Sequence, residues 1–166
     1  YKRQTVWFVI RIREGKLGRG IANILYRISK KSSLLPKDQM YSPLITSALT
    51  VGFGGSAGVE SPIATTGAAI GSNYSRTYKL PYYDRTLLLA AGAAAGTAAA
   101  FNAPITGVLF ALEVLLVDVS ISAFIPLIIA AAMGALCSKV VLNDDILLLF
   151  DLKQTFDYTN VPYYLL

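Results

Sequence analysis

Long apolar stretches separated by short polar connections make up most of the chain from residue 40 onward. Runs of apolar and small residues cover about 40–74, 86–117 and 121–142. Each run is near or above the roughly 20 residues that an α-helix needs to cross a bilayer. The pattern therefore predicts an all-α fold, a polytopic membrane protein in which several helices pack together.

A glycine cluster interrupts the first apolar stretch. The run GFGGSAG at 52–58 is followed by Glu60 and Pro62. Proline suits the first turn of a helix, where its missing N–H group would have no partner in any case. We therefore expect a helix to begin near Ser61 and the glycines to form the non-helical segment before it. A lone carboxylate inside a membrane is costly unless it has a role, which makes Glu60 the first candidate functional residue.

The second apolar stretch contains a similar interruption. A run of mainly alanine and glycine is followed by Asn102, which we predict to be an N-cap, and by Pro104 in the first turn of the next helix. The two interruptions divide the chain into broken helix pairs at about 38–77 and 86–117. Irregular backbone at membrane depth is tolerated only where it is buried in protein or lines a polar cavity. We therefore predict one cavity shared by the two breaks.

Composition supports a membrane protein and disfavours several kinds of chemistry. The 166 residues are 54% hydrophobic and 15% charged, and the mean hydropathy is +0.52, which is too apolar for an ordinary soluble domain. The absence of histidine and the single Cys137 make metal centres and triad catalysis improbable. We expect no metal, no cofactor and no enzymatic turnover. Both ends of the sequence look cut, so we expect a piece of a larger subunit.

The net charge of +5 is unevenly distributed along the chain. Two polar connections carry clusters of basic residues: Lys30, Lys31 and Lys37 in one, and Arg76, Lys79 and Arg85 in the other. Short loops rich in lysine and arginine stay in the cytoplasm, so we place both connections there. The connection at about 143–160 is acidic, and we place it outside.

Each break leaves a helix start inside the predicted membrane region. Unpaired N–H groups and the positive end of the helix dipole at residues 61–63 and 103–105 favour a bound anion. Discontinuous helices that end at mid-membrane are a recurrent design of transporters. Four glycines at helical spacing are predicted to let these helices pack closely: Gly67, Gly71, Gly92 and Gly96.

The residues around the breaks resemble the CLC family of chloride channels and chloride/proton antiporters. GVESP at 58–62 is similar to the family's G-(K/R)-E-G-P signature, and GAAAGTAAAFNAPITGVLFALE at 92–113 is close to GAAAG-x-AAAFNAP-x-x-G-x-LF-x-x-E. The resemblance covers most of the chain. It implies part of the N-terminal half of a membrane domain with discontinuous, tilted helices, an inner-mouth loop at about 15–22, and a homodimer with one anion pathway per subunit.

The same resemblance implies roles for individual residues. Glu60 matches the external gating glutamate, whose carboxylate occupies an anion site and swings out or is protonated to let the anion pass. The implied anion-binding residues are the segment around the gate and the inner mouth: Gly58, Val59, Glu60, Ser61, Pro62 and Ile63, with Gly18, Arg19 and Gly20.

The chain also departs from the family pattern. Arg19 replaces the serine of the inner-mouth signature G-S-G-I-P, and Val59 and Ser61 replace a basic residue and a glycine beside the gate. The antiporters carry two acidic residues in a row at the end of the FNAP helix, where this chain has Glu113 followed by Val114. The proton-transfer position at 114 is therefore lost, and Glu113 is its nearest substitute.

These observations lead to one functional expectation with several alternatives. We expect a voltage-gated-type channel that conducts chloride or a similar small anion without proton coupling. We expect it to lie in a bacterial plasma membrane, to have the lipid bilayer and a second subunit as partners, and to bind no nucleic acid. The alternatives are a chloride/proton antiporter, a fluoride-selective relative, and a non-transporting membrane scaffold, which would leave Glu60 unexplained. A nucleotide-binding enzyme is disfavoured because GFGGSAG lacks the lysine of a phosphate-binding loop and no βαβ pattern surrounds it.

Overall fold

A computed structural model of the chain describes residues 20–30, 32–115 and 121–142. Every regular element in these ranges is helical, which confirms the predicted all-α fold. In chain order the elements are α1 (Gly20–Ser29), a 3-10 helix (Lys37–Met40), α2 (Ser42–Gly52), α3 (Glu60–Thr77), α4 (Tyr82–Phe101), α5 (Pro104–Phe110), a π-helical segment (Ala111–Leu115) that continues α5, and α6 (Ile121–Leu142). The predicted external loop at about 143–160 lies outside the described residues.

Helix α6 is the one helix in the described ranges that is long and apolar enough to cross a membrane. Its candidate span is Ala123–Val141, 19 residues. Alanines and a leucine spaced four residues apart are buried along one side of this helix, and isoleucines such as Ile125 and Ile129 are exposed on the other. The helix predicted at about 121–142 is therefore observed, whereas the two longer apolar stretches are divided into shorter helices.

The glycine cluster forms the predicted break. Helix α2 ends at Gly52 and α3 begins at Glu60, one residue before the predicted start. Between them, Gly54 adopts a φ of 76°, a left-handed conformation that glycine reaches without the penalty of a Cβ atom. Pro62 lies in the first turn of α3, where its missing N–H group removes no helical hydrogen bond.

The predicted role of Asn102 as an N-cap is wrong. Asn102 ends α4 in the left-handed conformation, with φ 49° and ψ 36°, and Ala103 is the N-cap of α5. Asparagine tolerates this conformation better than most residues because its short polar side chain can form local hydrogen bonds. Asn102 therefore stops one helix rather than starting the next, and Pro104 opens α5 as predicted.

Helices α3 and α4 pack with their backbones in contact. A Cβ atom added to Gly67 would collide with the carbonyl oxygen of Gly92, and one added to Gly71 would collide with that of Leu88. Helix α4 also packs against α5 and α6 and lies at the centre of the fold. The predicted close packing through glycines is thus observed, and it fixes the rotation of α3 against α4.

The two basic connections meet at one end of the molecule. The Tyr82 hydroxyl at the start of α4 donates a hydrogen bond of 3.0 Å to the carbonyl of Ile28 near the end of α1. Arg85 Nη1 donates one of 2.9 Å to the carbonyl of Ser32. These contacts place the connection after α1 against the connection between α3 and α4.

Buried hydroxyl groups hold the first connection to both helices. Ser72 Oγ donates a hydrogen bond of 2.7 Å to the carbonyl of Ser33 and accepts one of 2.9 Å from the N–H group of Leu35. The hydroxyls of Ser33 and Thr86 lie 2.7 Å apart. Because all four residues are buried, water cannot replace these bonds, and the segment 32–36 is fixed between α3 and α4.

Candidate functional site

The starts of α1 and α3 are in contact. Gly20 opens α1 with a φ of 53°, and a Cβ atom added to it would lie 2.5 Å from Ser61 Oγ in the first turn of α3. Because α1 begins at Gly20, residues 20–22 of the predicted inner-mouth loop form its first turn. The other predicted inner-mouth residues, Gly18 and Arg19, lie outside the described residues.

A cavity of about 340 Å³ lies at this junction. It is large enough for several water molecules, each of which occupies about 30 Å³ in the liquid. Its lining comes from α1, from the beginning of α3, from the last two turns of α4 and from both ends of α5: Ile21, Glu60, Ser61, Ala64, Thr97, Phe101, Thr106 and Phe110. Residues following both breaks thus line one cavity, as the sequence predicts.

The cavity has hydrogen-bond donors but no lysine or arginine among its described lining residues. Val59 is the N-cap of α3 and Ala103 that of α5, and neither helix end has a side-chain cap. The first backbone N–H groups of a helix have no partner within it and carry the positive end of its dipole. Ser61, Thr97 and Thr106 contribute hydroxyl groups to the residues of the lining, and hydroxyl groups can donate hydrogen bonds to an anion.

Glu60 occupies the first position of α3 and contributes to the cavity lining. Its side chain is exposed in the part of the chain that the structure describes. The reason is that Glu60 follows the exposed segment between α2 and α3 and no described helix covers it. A carboxylate is favourable at a helix start, and Glu60 is the first residue of α3.

The other four residues predicted around Glu60 do not line the cavity. Gly58 and Val59 are exposed before α3, and Pro62 and Ile63 are half-buried in its first turn. Of the predicted anion-binding set, the structure therefore brings Glu60 and Ser61 into the lining and Gly20 into contact with Ser61.

The helices on either side of Asn102 contribute four lining residues that were not predicted. Thr97 and Phe101 end α4, and Thr106 and Phe110 belong to α5; all four line the cavity. A signal for them exists, because Thr-x-x-x-Phe occurs on both sides of the break. Residues four apart share a helix face, so the repeated pattern predicts a hydroxyl and an aromatic ring on one face of each helix.

Glu113 and Val114 lie in the π-helical segment. Glu113 is exposed, whereas Val114 is half-buried against the hydrophobic core. The two side chains therefore have different surroundings. Short π-helical segments inside helices frequently coincide with functional positions.

The fold and the cavity together define a class of protein: an all-helical chain whose interrupted helices begin around one cavity, as in membrane transporters. The family model for the voltage-gated chloride channel matches residues 4–166. The chain therefore belongs to the voltage-gated chloride channel (CLC) family of membrane proteins, which transport chloride.

Known relatives match parts of the chain. A chloride/fluoride channel protein of Pseudomonas syringae pv. tomato is 31% identical over 109 residues, 65% of this chain and 24% of the relative. The voltage-gated ClC-type chloride channel ClcB of Escherichia coli is 35% identical over 104 residues, 63% of this chain and 25% of the relative. Chloride channel protein CLC-c of Arabidopsis thaliana is 39% identical over 94 residues, 49% of this chain and 12% of the relative. The matched region is thus a quarter or less of each relative.

Proposed function

We propose that the full-length protein carries chloride or a similar small anion across a membrane along a pathway that passes the cavity between α1, α3 and α5. The observation that carries the proposal is the meeting of helix starts at one place: Gly20 against Ser61, and Glu60, Ser61 and Thr106 around one cavity. Membership of the family supports chloride as the anion.

Glu60 acts as the gate in this proposal. Its carboxylate lines the cavity at the start of α3, where backbone N–H groups and the helix dipole favour one negative charge. When the carboxylate is ionised, it competes with the permeating anion for this position. When it is protonated or swings into the solvent to which it is exposed, the position becomes available to the anion.

We further propose that anion flow is not coupled to protons, as in a channel. A proton path from Glu60 to the other side of the membrane needs a second titratable group or a chain of water. Val114 cannot titrate, and the exposed Glu113 has different surroundings from residue 114. Sustained uphill proton movement driven by a chloride gradient, lost in Glu113→Gln, would instead identify an antiporter.

The proposal also includes the orientation of the chain in the membrane and its assembly into a homodimer. The basic connections at 30–37 and 76–85 face the cytoplasm, the residues after α6 lead to the outside, and the subunit forms a homodimer in a bacterial plasma membrane. The contact between the two connections, through Arg85 and Ser32, supports their placement on one side. The positive charge of these connections supports the cytoplasmic side.

Anion efflux from liposomes tests the proposed function. Full-length protein is reconstituted with internal chloride or fluoride, and release is recorded with an ion-selective electrode. We expect chloride release that exceeds that of protein-free liposomes. Fluoride release that exceeds chloride release would favour the second candidate, fluoride transport, to which the name of the Pseudomonas syringae relative also points. No release of either anion would leave the scaffold alternative.

A further inference from the structure

Positive charge is concentrated at the end of the molecule where α1 and α3 stop and α4 begins. These charges have no role in the proposed anion pathway. The described residues 20–30, 32–40 and 72–86 contain six basic residues and two acidic residues, Asp38 and Asp84. The six are Arg27, Lys30, Lys37, Arg76, Lys79 and Arg85. This end is therefore strongly positive, and the hydrogen bonds between its connections hold the charges together.

Two of the six basic residues donate hydrogen bonds to backbone carbonyl groups within the fold. Arg27 Nη1 donates a hydrogen bond of 2.7 Å to the carbonyl of Leu34. Arg85 Nη1 and Nη2 donate hydrogen bonds of 2.9 Å to the carbonyls of Ser32 and Leu80. Both arginines are half-buried and fasten the connections. The remaining four basic residues are exposed: Lys30, Lys37, Arg76 and Lys79.

Exposed tyrosines accompany these exposed charges. Tyr26 is 61% exposed, Tyr74 56% and Tyr78 63%. Lys30 Nζ lies 5.9 Å from the centre of the Tyr26 ring, and the rings of Tyr74 and Tyr78 are 4.7 Å apart. Tyrosine concentrates at the membrane–water boundary because its ring is apolar and its hydroxyl is polar, and lysine extends its charge from that boundary toward water.

We propose that this basic tyrosine surface, formed by Tyr26, Lys30, Arg76, Tyr78 and Lys79, binds the phosphate headgroups of anionic phospholipids in the bilayer. The rings lie at the level of the headgroups, and the cations contact the phosphates. The inference depends on the chain lying in a membrane, as its family does, and does not depend on anion transport. Phospholipid phosphates are the source that fits, because a soluble phosphate would not require the exposed aromatic rings.

Lipid binding here would also stabilise the packing of α1. This helix runs from Gly20, at the cavity, to Ser29 beside the surface, and the hydrogen bond from Tyr82 to Ile28 fixes its end to α4. Lys30 directly follows α1, and Lys79 lies between α3 and α4. A headgroup bound at Lys30 would contact the end of α1, and one bound at Lys79 would contact the connection that follows α3.

Binding of a labelled lipid tests the proposal without any transport measurement. Purified full-length protein in neutral detergent is titrated with fluorescent phosphatidylglycerol, and with fluorescent phosphatidylcholine as the probe without net charge. Each basic residue near an anionic surface strengthens binding roughly fivefold, so Lys30→Gln with Lys79→Gln should weaken phosphatidylglycerol binding about thirtyfold. Replacing both lysines by arginine should preserve binding, because the charges remain.

Lys139 provides the matched control. It is an exposed lysine in the last turn of α6, and Lys139→Gln should leave the affinity for phosphatidylglycerol unchanged. Equal binding of the two lipids, or wild-type binding by the double glutamine variant, would overturn the proposal. Glycerol phosphate that displaces the lipid at an equal concentration would also overturn it, since the site would then take a soluble phosphate.

Discussion

Replacing Gly20 by alanine tests the contact between the starts of α1 and α3. Gly20 has a φ of 53°, and the left-handed conformation costs an L-residue about 1–2 kcal/mol. The new Cβ atom would also lie 2.5 Å from Ser61 Oγ, so the Ser61 side chain must leave its rotamer, which costs about 0.5–1.5 kcal/mol. We expect the free energy of unfolding to fall by about 2–3 kcal/mol.

Gly54 is the matched control for the backbone conformation. Its φ is 76°, and a Cβ atom added there meets nothing within 4 Å. Gly54→Ala should therefore lower the free energy of unfolding by the conformational cost alone, about 1–2 kcal/mol. The difference between the two alanine variants measures the contact with Ser61.

A double-mutant cycle isolates that contact. Ser61→Ala removes the hydroxyl that the new methyl group would meet, so Gly20→Ala should be less destabilising by about 1 kcal/mol in the Ser61→Ala background. Gly54→Ala and Ser61→Ala should be additive. Unfolding of the full-length protein by sodium dodecyl sulfate in mixed micelles, followed by circular dichroism, gives the four free energies. Additive effects of Gly20→Ala and Ser61→Ala would refute the contact at the site.

Two further predictions concern the basic end and the orientation. Ser72→Ala should lower the free energy of unfolding by about 2 kcal/mol, because it leaves two buried backbone groups without partners. Ser75 is the control: it is equally buried, but its hydroxyl donates only to the carbonyl of Ser72 in its own helix, at 2.7 Å, so Ser75→Ala should cost less than about 1 kcal/mol. Equal losses of stability in thermal unfolding would contradict this prediction. For the orientation, Cys137 is removed and single cysteines are introduced at the exposed positions Lys37, Tyr78 and Lys139. A membrane-impermeant maleimide should label the first two from the cytoplasm and the third from outside. Labelling of the cysteines at 37 and 78 from opposite sides would contradict the orientation.

Helix boundaries were predictable where proline and glycine have a single structural meaning. Pro62 and Pro104 located the starts of α3 and α5 to within a residue, because proline fits the first turn of a helix and disrupts its interior. Asn102 was assigned wrongly, because asparagine is favoured both as an N-cap and in the left-handed conformation that ends a helix. The backbone conformation at that position, not the residue type, distinguishes the two roles.

Two of the eight cavity-lining residues, Glu60 and Ser61, were among the predicted site residues, and the other six were not. Glu60 and Ser61 follow directly from the break before α3, but Thr97 and Thr106 reach the cavity because of the rotation of α4 and α5, which tertiary packing sets. The exposure of Glu60 depends on which segments cover it, and local sequence carries no information on that. Ser33 shows the reverse case: it lies in a polar connection, yet it is buried because Thr86 and Ser72 supply hydrogen-bond partners.

Chloride flux as a function of external pH, in wild type and in Glu60→Gln, tests the central claim most directly. In wild-type proteoliposomes, acidification outside should increase chloride efflux, because protonation removes the negative charge that competes with the anion at the start of α3. Glu60→Gln should give high efflux at every pH, and Glu113→Gln should keep the pH dependence of the wild type. A Glu60→Gln variant that is folded and transports chloride with the pH dependence of the wild type would contradict the role of Glu60 as the gate.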